Sequence, residues 1–168
     1  MAVDFQEQGY SIFPGFYDVA SQIDPIQASI RQIVKLVADK YGVDAPCDTP
    51  HEAMTKGIMA IKAADRAWAG EVYDAVKQIP AFMQLVCHQD NADLFKTLRP
   101  DSEPGIAAGG YGIRIDFPSE DKYRAFWHQE FPAQLRSPDG VVFWTPLLPV
   151  TEDMGPVEIC PGSQKEGI

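Results

Sequence analysis

The sequence predicts an α+β fold, in which helices fill residues 20–100 and short strands follow from about residue 107. Two patterns predict this order. Apolar residues recur at every third or fourth position in the first region, as on one face of an α-helix, whereas from residue 111 to residue 117 they alternate with polar residues, as in a strand. Helices and strands that are segregated along a chain are typical of α+β proteins. We expect residues 1–168 to form a single domain.

Capping signals set the bounds of the predicted helices. The first helix is expected to begin at Asp24, a suitable N-cap that is followed by proline, and to end at Gly42. A second start is predicted at Thr49, because Thr-Pro-His-Glu has the pattern of a capping box. Pro80 is expected to end one helix or open the next, and a short helix is expected from about residue 91 to residue 98.

At least four short strands are predicted in the second region, with turn-forming residues between them. The strand at 111–117 should have one apolar and one polar face, and the strand at 141–147 is apolar and is expected to be buried. The others are expected at 124–130 and 157–160. This half of the chain looks like part of a jelly roll or barrel, which four strands do not close. We therefore expect C-terminal strands missing from this chain, or a second chain, to complete the sheet.

Composition narrows the class of protein. The 14 Lys and Arg against 24 Asp and Glu give a net charge of −10, which argues against a nucleic-acid partner. The three cysteines lack CxxC spacing, which disfavours a disulfide scaffold or a zinc ribbon and suits a reducing compartment. No apolar run is long enough for a transmembrane helix, and no signal peptide is visible. We expect a cytoplasmic protein with no membrane partner.

The triplet His128-Gln129-Glu130 is the main candidate for a metal site. Residues two apart in a strand point to the same face, so His128 and Glu130 would present an imidazole and a carboxylate side by side. These are two of the three groups of the 2-His-1-carboxylate set, which binds non-haem Fe(II) and leaves coordination positions open. By itself the pattern is weak, because an ordinary surface pair on a strand has the same spacing.

A second triplet, His88-Gln89-Asp90, has the same pattern. It precedes a predicted helix start, so we interpret Asp90 as a capping residue and His88 as a helix-end or surface histidine. His51 lies within the capping box that begins at Thr49 and is not expected to bind metal. We therefore favour His128 over the other two histidines.

Four motifs occur in a fixed order after residue 110: Tyr111-Gly-Ile-Arg-Ile-Asp-Phe-Pro118, Phe126-Trp-His-Gln-Glu-Phe131, Gly140-Val-Val-Phe-Trp-Thr-Pro-Leu147 and Gly155-Pro-Val-Glu-Ile-Cys-Pro-Gly-Ser163. In this order they resemble the phytanoyl-CoA dioxygenase family. A weaker resemblance lies near the N-terminus, in Gly9-Tyr-Ser-Ile-Phe-Pro-Gly15. The resemblance implies N-terminal helices followed by a double-stranded β-helix, and an oxygenase that uses Fe(II) with 2-oxoglutarate as co-substrate.

The resemblance also implies roles for single residues. His128 and Glu130 correspond to the first two iron ligands. Arg114 and Asp116 would line the co-substrate or substrate pocket, and Trp144 would lie close to the co-substrate. The family's distal histidine ligand, and the arginine that binds the far carboxylate of 2-oxoglutarate, are expected downstream of residue 168.

The chain departs from the family pattern in two further places. The acid at position 130 is glutamate where the family usually has aspartate, so the metal would lie further from the backbone or the side chain would fold back. The presence of this carboxylate disfavours a halogenase, which needs its position for halide. Gln164 stands where the family often has a histidine, which is commonly structural.

The function implied by the resemblance is hydroxylation of a small-molecule or acyl substrate with O2. The alternative is a catalytically degenerate β-helix module that binds a ligand or a protein partner. A sugar-binding or isomerase cupin is disfavoured, because no His-x-His pair occurs. Besides the substrate and O2, the expected partners are a second copy of the chain, in a homo-oligomer, or a chain segment that completes the sheet.

Overall fold

The computed structural model describes residues 2–107, 109–133 and 137–167. Its regular secondary structure is helical throughout these ranges. Short π-helical turns lie at Val19–Ile23 and Ala53–Gly57, and 3₁₀ turns at Asp121–Tyr123, Glu152–Met154 and Ser163–Lys165. The α-helices of the described residues are α1 (Ala2–Gln8), α2 (Asp24–Tyr41), α3 (Pro50–Glu52), α4 (Ile58–Ala64), α5 (Arg66–Val76), α6 (Pro80–Val86), α7 (Gln89–Leu98) and α8 (Glu130–Ala133).

The predicted α+β fold is wrong, because the described part of the chain contains no β-strand. The double-stranded β-helix that the resemblance implied is therefore not found in these described residues either. A strand exists only where a neighbouring segment completes its ladder of backbone hydrogen bonds. The segments predicted as strands at 111–117, 124–130, 141–147 and 157–160 have no such ladder and run as irregular chain, apart from Glu130, where α8 begins.

The chain divides into two compact units. The helical unit consists of residues 17–86 and 112–120, and the terminal unit consists of residues 1–16, 87–111 and 121–168. None of the described helices is both long enough and apolar enough to cross a membrane.

The core of the helical unit lies between α2, α4 and α5. Each of these helices contributes one apolar face, as its 3.6-residue period requires. The π-helical turn at Ala53–Gly57 packs closely beside α2, since a Cβ added at Gly57 would lie 3.2 Å from Cγ1 of Val34. The largest fully buried side chains of this core are Ile26, Val34, Ile61, Val72 and Val76.

The predicted helix ends are confirmed at several positions. Gly42 follows α2 in the left-handed conformation, with φ of 65°, which glycine adopts without a Cβ clash. The Thr49 hydroxyl oxygen accepts a hydrogen bond from the Glu52 N–H at 3.1 Å, as in a capping box. Pro80 opens α6. Asp24 begins α2 but does not cap it, because Asp18 caps the preceding π-helical turn by accepting from the Ser21 N–H.

The segment at 112–120 keeps the two faces that its period-2 pattern predicted, although it is not a strand. Ile113 and Phe117 are buried in the helical unit, whereas Arg114 and Asp116 are exposed. The end of the segment is fixed by Glu120, which accepts hydrogen bonds from Arg66 at 2.8 and 3.1 Å. Burial of alternate side chains against helices has thus replaced pairing with a second strand.

The terminal unit has a different character. Its helices α1 and α7 are linked by a hydrogen bond from the Gln6 side chain to the Leu98 carbonyl oxygen, at 3.4 Å. Beyond residue 120, large apolar side chains are exposed; Phe126 is 88% exposed and Trp127 is 70% exposed. The segment at 141–147, which we expected to be buried, exposes Val142, Phe143 and Trp144.

Candidate metal site

The loop between Tyr123 and α8 fixes the orientation of the His128 ring. Nδ1 of His128 lies 2.6 Å from the carbonyl oxygen of Phe126. A carbonyl oxygen only accepts hydrogen bonds, so Nδ1 must carry the proton and donate it. In the neutral ring, Nε2 is then the atom with the free lone pair. A hydrogen bond from one ring nitrogen to a backbone carbonyl is the usual way in which a metal-binding histidine is oriented.

Glu130 lies on the Nε2 side of this ring. Its Oε1 is 3.6 Å from Nε2 of His128, and the two side chains are 37% and 38% exposed. Two donors that bind one metal at about 2.1 Å in neighbouring octahedral positions lie about 3.0 Å apart. The observed separation therefore needs only a small side-chain rotation to fit an ion, and both groups are open to solvent.

The predicted proximity of His128 and Glu130 is thus found, but not by the predicted route. The chain forms no strand here, and Glu130 is the first residue of α8. That helix is a single irregular turn, because Phe131 has an extended backbone with φ of −99° and ψ of 130°. Local loop geometry, rather than a pleat, brings the two side chains together.

In the part of the chain that the structure describes, no third donor joins this pair. Among the described residues, no group of three or more His, Cys, Asp or Glu side chains is arranged to hold a metal ion. The other two histidines of the chain lie at helix starts, His51 in α3 and His88 before α7.

His88 is the N-cap of α7, and this explains its triplet. Its Nδ1 accepts a hydrogen bond from the Asp90 N–H at 3.3 Å. Asp90 lies in the first turn of the helix and its Oδ2 is 3.4 Å from the same Nδ1. The ring nitrogen that faces the carboxylate is therefore the one used for capping. The prediction that Asp90 caps this helix is therefore wrong, because the capping residue is His88.

Arg114 and Asp116 are brought together on the exposed face of the segment at 112–120. Nε of Arg114 lies 2.9 and 2.7 Å from the two carboxylate oxygens of Asp116. The hydrogen bond to Asp116 raises the pKa of the Arg114 guanidinium. These two residues belong to the helical unit, whereas His128 and Glu130 belong to the terminal unit.

Trp144 lies in the terminal unit with 54% of its surface exposed. It is therefore not a core residue of the described structure. Gln129 donates a hydrogen bond from Nε2 to the Gly167 carbonyl oxygen at 2.6 Å.

Sequence reasoning missed the contact between the turn at 161–165 and α1. The Gln164 side-chain amide donates to the carbonyl oxygens of Gln6 and Glu7 at 3.1 and 3.2 Å, so it caps the C-terminal end of α1. The Gly162 N–H donates to the Gln8 carbonyl oxygen, and Lys165 pairs with Glu7. Lys165 lowers the pKa of the Glu7 carboxyl through this hydrogen bond. The motif that ends at Ser163 does not indicate this contact with α1, because the partners of Gln164 are backbone atoms.

The comparison with protein families agrees with the motifs around this site. The sequence model of the phytanoyl-CoA dioxygenase (PhyH) family matches residues 5–168. The chain belongs to this family. Its recognition from the motifs is confirmed, and the match also covers the helical region between residues 20 and 100, in which no family motif was identified. At the level of the family, this indicates an Fe(II)- and 2-oxoglutarate-type dioxygenase. No curated protein and no solved structure matches the chain.

Proposed function

We propose that the protein is an Fe(II)- and 2-oxoglutarate-dependent dioxygenase that hydroxylates a small-molecule or acyl substrate, with His128 and Glu130 as two of its iron ligands. Membership of the family supports the reaction class. The observation that carries the assignment of the ligands is the hydrogen bond from Nδ1 of His128 to the Phe126 carbonyl oxygen, which leaves Nε2 free beside the Glu130 carboxylate.

The donor set suits the metal. Neutral imidazole and carboxylate are the ligand types of non-haem Fe(II) sites. His128 is held in the binding tautomer by the backbone, so little reorientation is needed when an ion arrives. Glu130 supplies a negative charge that offsets part of the charge of a divalent ion. When bound, iron with 2-oxoglutarate and O2 supplies the oxidising chemistry, and the protein's share is binding and orientation.

Arg114 and Asp116 are proposed to line the pocket for the co-substrate or substrate. Arginine is suited to this role, because its planar guanidinium matches a carboxylate with two parallel hydrogen bonds. In the structure, Nε of Arg114 already donates to the carboxylate of Asp116. A carboxylate ligand would therefore compete with Asp116 for Nε of Arg114. Trp144 is proposed to contribute an exposed aromatic face near the co-substrate.

The test is an anaerobic titration of the full-length protein with Fe(II), followed by addition of 2-oxoglutarate and O2. We expect close to one iron per chain, and succinate formation that stops when a chelator removes the metal. Absence of both iron binding and succinate formation would contradict the proposal and favour a catalytically degenerate binding module. The chelator-treated sample is the control for metal-independent loss of 2-oxoglutarate.

A further inference from the structure

A second candidate site lies in the terminal unit, where residues near the N-terminus meet α7. A cavity of about 390 Å³ is lined there by Phe13, Phe16, Asp90, Asp93, Leu94, Thr97 and Leu98. Its volume falls within the range of small-molecule sites, about 300–1,000 Å³. Neither His128 nor Glu130 is among its lining residues, so the proposed iron site is not involved.

The inner surface of this cavity is apolar and aromatic. Phe13 and Phe16 have ring centroids 6.2 Å apart with an interplanar angle of 58°, so the two rings present different faces and edges. Leu94 and Leu98 add an aliphatic wall from α7. Such a surface favours the apolar body of a ligand, and the faces of aromatic rings attract cations.

The polar groups of the cavity are acidic. Asp90 and Asp93 are exposed, and none of the described residues that line the cavity is basic. Among the described residues, the side chains beside the two aspartates are an uncharged amide and an imidazole: Gln89 donates to Asp93 at 2.9 Å, and His88 lies 3.4 Å from Asp90. The N-terminal end of α7 carries roughly half a positive charge, which two carboxylates outweigh.

We propose that this cavity binds a small organic cation with an apolar body, such as an aralkylammonium ion. The ammonium group pairs with Asp90 and Asp93, and the apolar body contacts Phe13, Phe16 and the leucines. Anionic ligands are excluded by the two carboxylates. An uncharged ligand of the same shape gains the apolar contacts alone, so charge is the property that this site selects.

The experiment compares two probes of the same shape, 3-phenylpropylammonium and 3-phenylpropan-1-ol, by titration of the whole chain followed by NMR. We expect the cation to bind about fivefold more tightly than the alcohol at low salt, because two exposed ion pairs contribute modestly. In the double variant D90N/D93N, the affinity for the cation should fall to the affinity for the alcohol. The affinity for the alcohol should stay unchanged. Unchanged alcohol binding also shows that the cavity remains folded.

A second variant locates the site. Thr97 is an exposed residue of α7 that lines the cavity, so Thr97→Trp fills the cavity from the solvent side without replacing a core residue. We expect it to weaken the binding of both probes at least tenfold. The proposal is overturned if the cation binds no better than the alcohol, if D90N/D93N binds the cation as the unmodified chain does, or if T97W leaves both affinities unchanged.

Discussion

Two triplets of this chain have the same His-Gln-acid pattern but different local structures. His128-Gln129-Glu130 and His88-Gln89-Asp90 both place an imidazole within 3.6 Å of the acid two residues later. In the first, Nδ1 donates to a backbone carbonyl and Nε2 faces the acid. In the second, Nδ1 accepts from a backbone N–H and is itself the nitrogen that faces the acid.

The difference shows that the backbone partner of a histidine decides its role more than its distance from a carboxylate does. A carbonyl partner places the proton on Nδ1 and leaves Nε2 as a metal donor. An N–H partner uses the lone pair of Nδ1 and makes the ring part of a helix start. His-x-acid spacing is therefore a necessary but not a sufficient sign of a metal site.

The substitution His128→Ala tests this difference with the largest expected effect. It removes the only ring nitrogen proposed as a donor, so we expect the affinity for Fe(II) to fall by at least about 100-fold. His88→Ala is the matched control and should bind iron as the unmodified chain does. Iron affinity is measured by anaerobic titration, and equal losses in the two variants would contradict the assignment.

Substitution of the acidic residue in each triplet should also affect iron binding differently, with a smaller effect than that of His128→Ala. Glu130→Ala should lower the affinity for Fe(II) about 10- to 100-fold, because a neutral site binds a divalent ion less well. Asp90→Ala should leave the affinity for iron unchanged. If the loss of Asp90 weakens iron binding as much as the loss of Glu130, the carboxylate of the first triplet is not a ligand.

The capping role of His88 predicts an effect on stability alone. His88→Ala removes the acceptor for the Asp90 N–H, and loss of an N-cap costs about 1 kcal/mol of the free energy of unfolding. His88→Asn retains a capping oxygen and should restore most of this stability. Denaturant unfolding measures both changes; no difference between the alanine and asparagine variants would show that the cap contributes nothing.

Glu120 provides a control that separates folding from metal binding. Its pKa is held below the ordinary value of 4.5, mainly by the hydrogen bond from Arg66. The carboxylate therefore stabilises the fold fully above pH 4.5, and this contribution is lost as the pH falls through the lower pKa of the folded state. Glu120→Gln should be less stable than the unmodified chain at neutral pH, and the difference should shrink in acid.

The same variant should bind iron normally, because Glu120 belongs to the helical unit and to neither triplet. Urea unfolding at a series of pH values, with iron titration at neutral pH, measures both properties. Loss of iron in Glu120→Gln would mean that iron binding reports folding rather than specific ligands, which would weaken the interpretation of His128→Ala.

The helical region could be predicted well from the sequence because its signals are local. Caps, prolines and apolar spacing act within one or two turns, so the ends of α2 at Gly42 and the cap at Thr49 are found where they were expected. The sheet could not be predicted in this way. A period-2 pattern states which side chains are buried, as at Ile113 and Phe117, but it does not state whether a second strand is present to pair with.

The candidate site was predicted in part. The contact between His128 and Glu130 is found, but its cause is a loop and a backbone carbonyl that no residue type encodes. The cap that Gln164 places on α1 was missed for the same reason, since its partners are carbonyl groups that every residue has. Side-chain patterns indicate candidate chemistry, and backbone geometry then decides which candidate can be used.

The exposure of Trp127 gives the molecule an internal optical reporter. Its indole is 70% exposed and is adjacent in sequence to His128, whereas the Trp68 ring is stacked on Tyr41 with centroids 4.1 Å apart. Water-soluble quenchers should therefore reach the fluorescence of Trp127 before that of Trp68. A paramagnetic ion beside His128 would shorten the excited-state lifetime of Trp127. Metal binding could therefore be followed by fluorescence before any substrate is known.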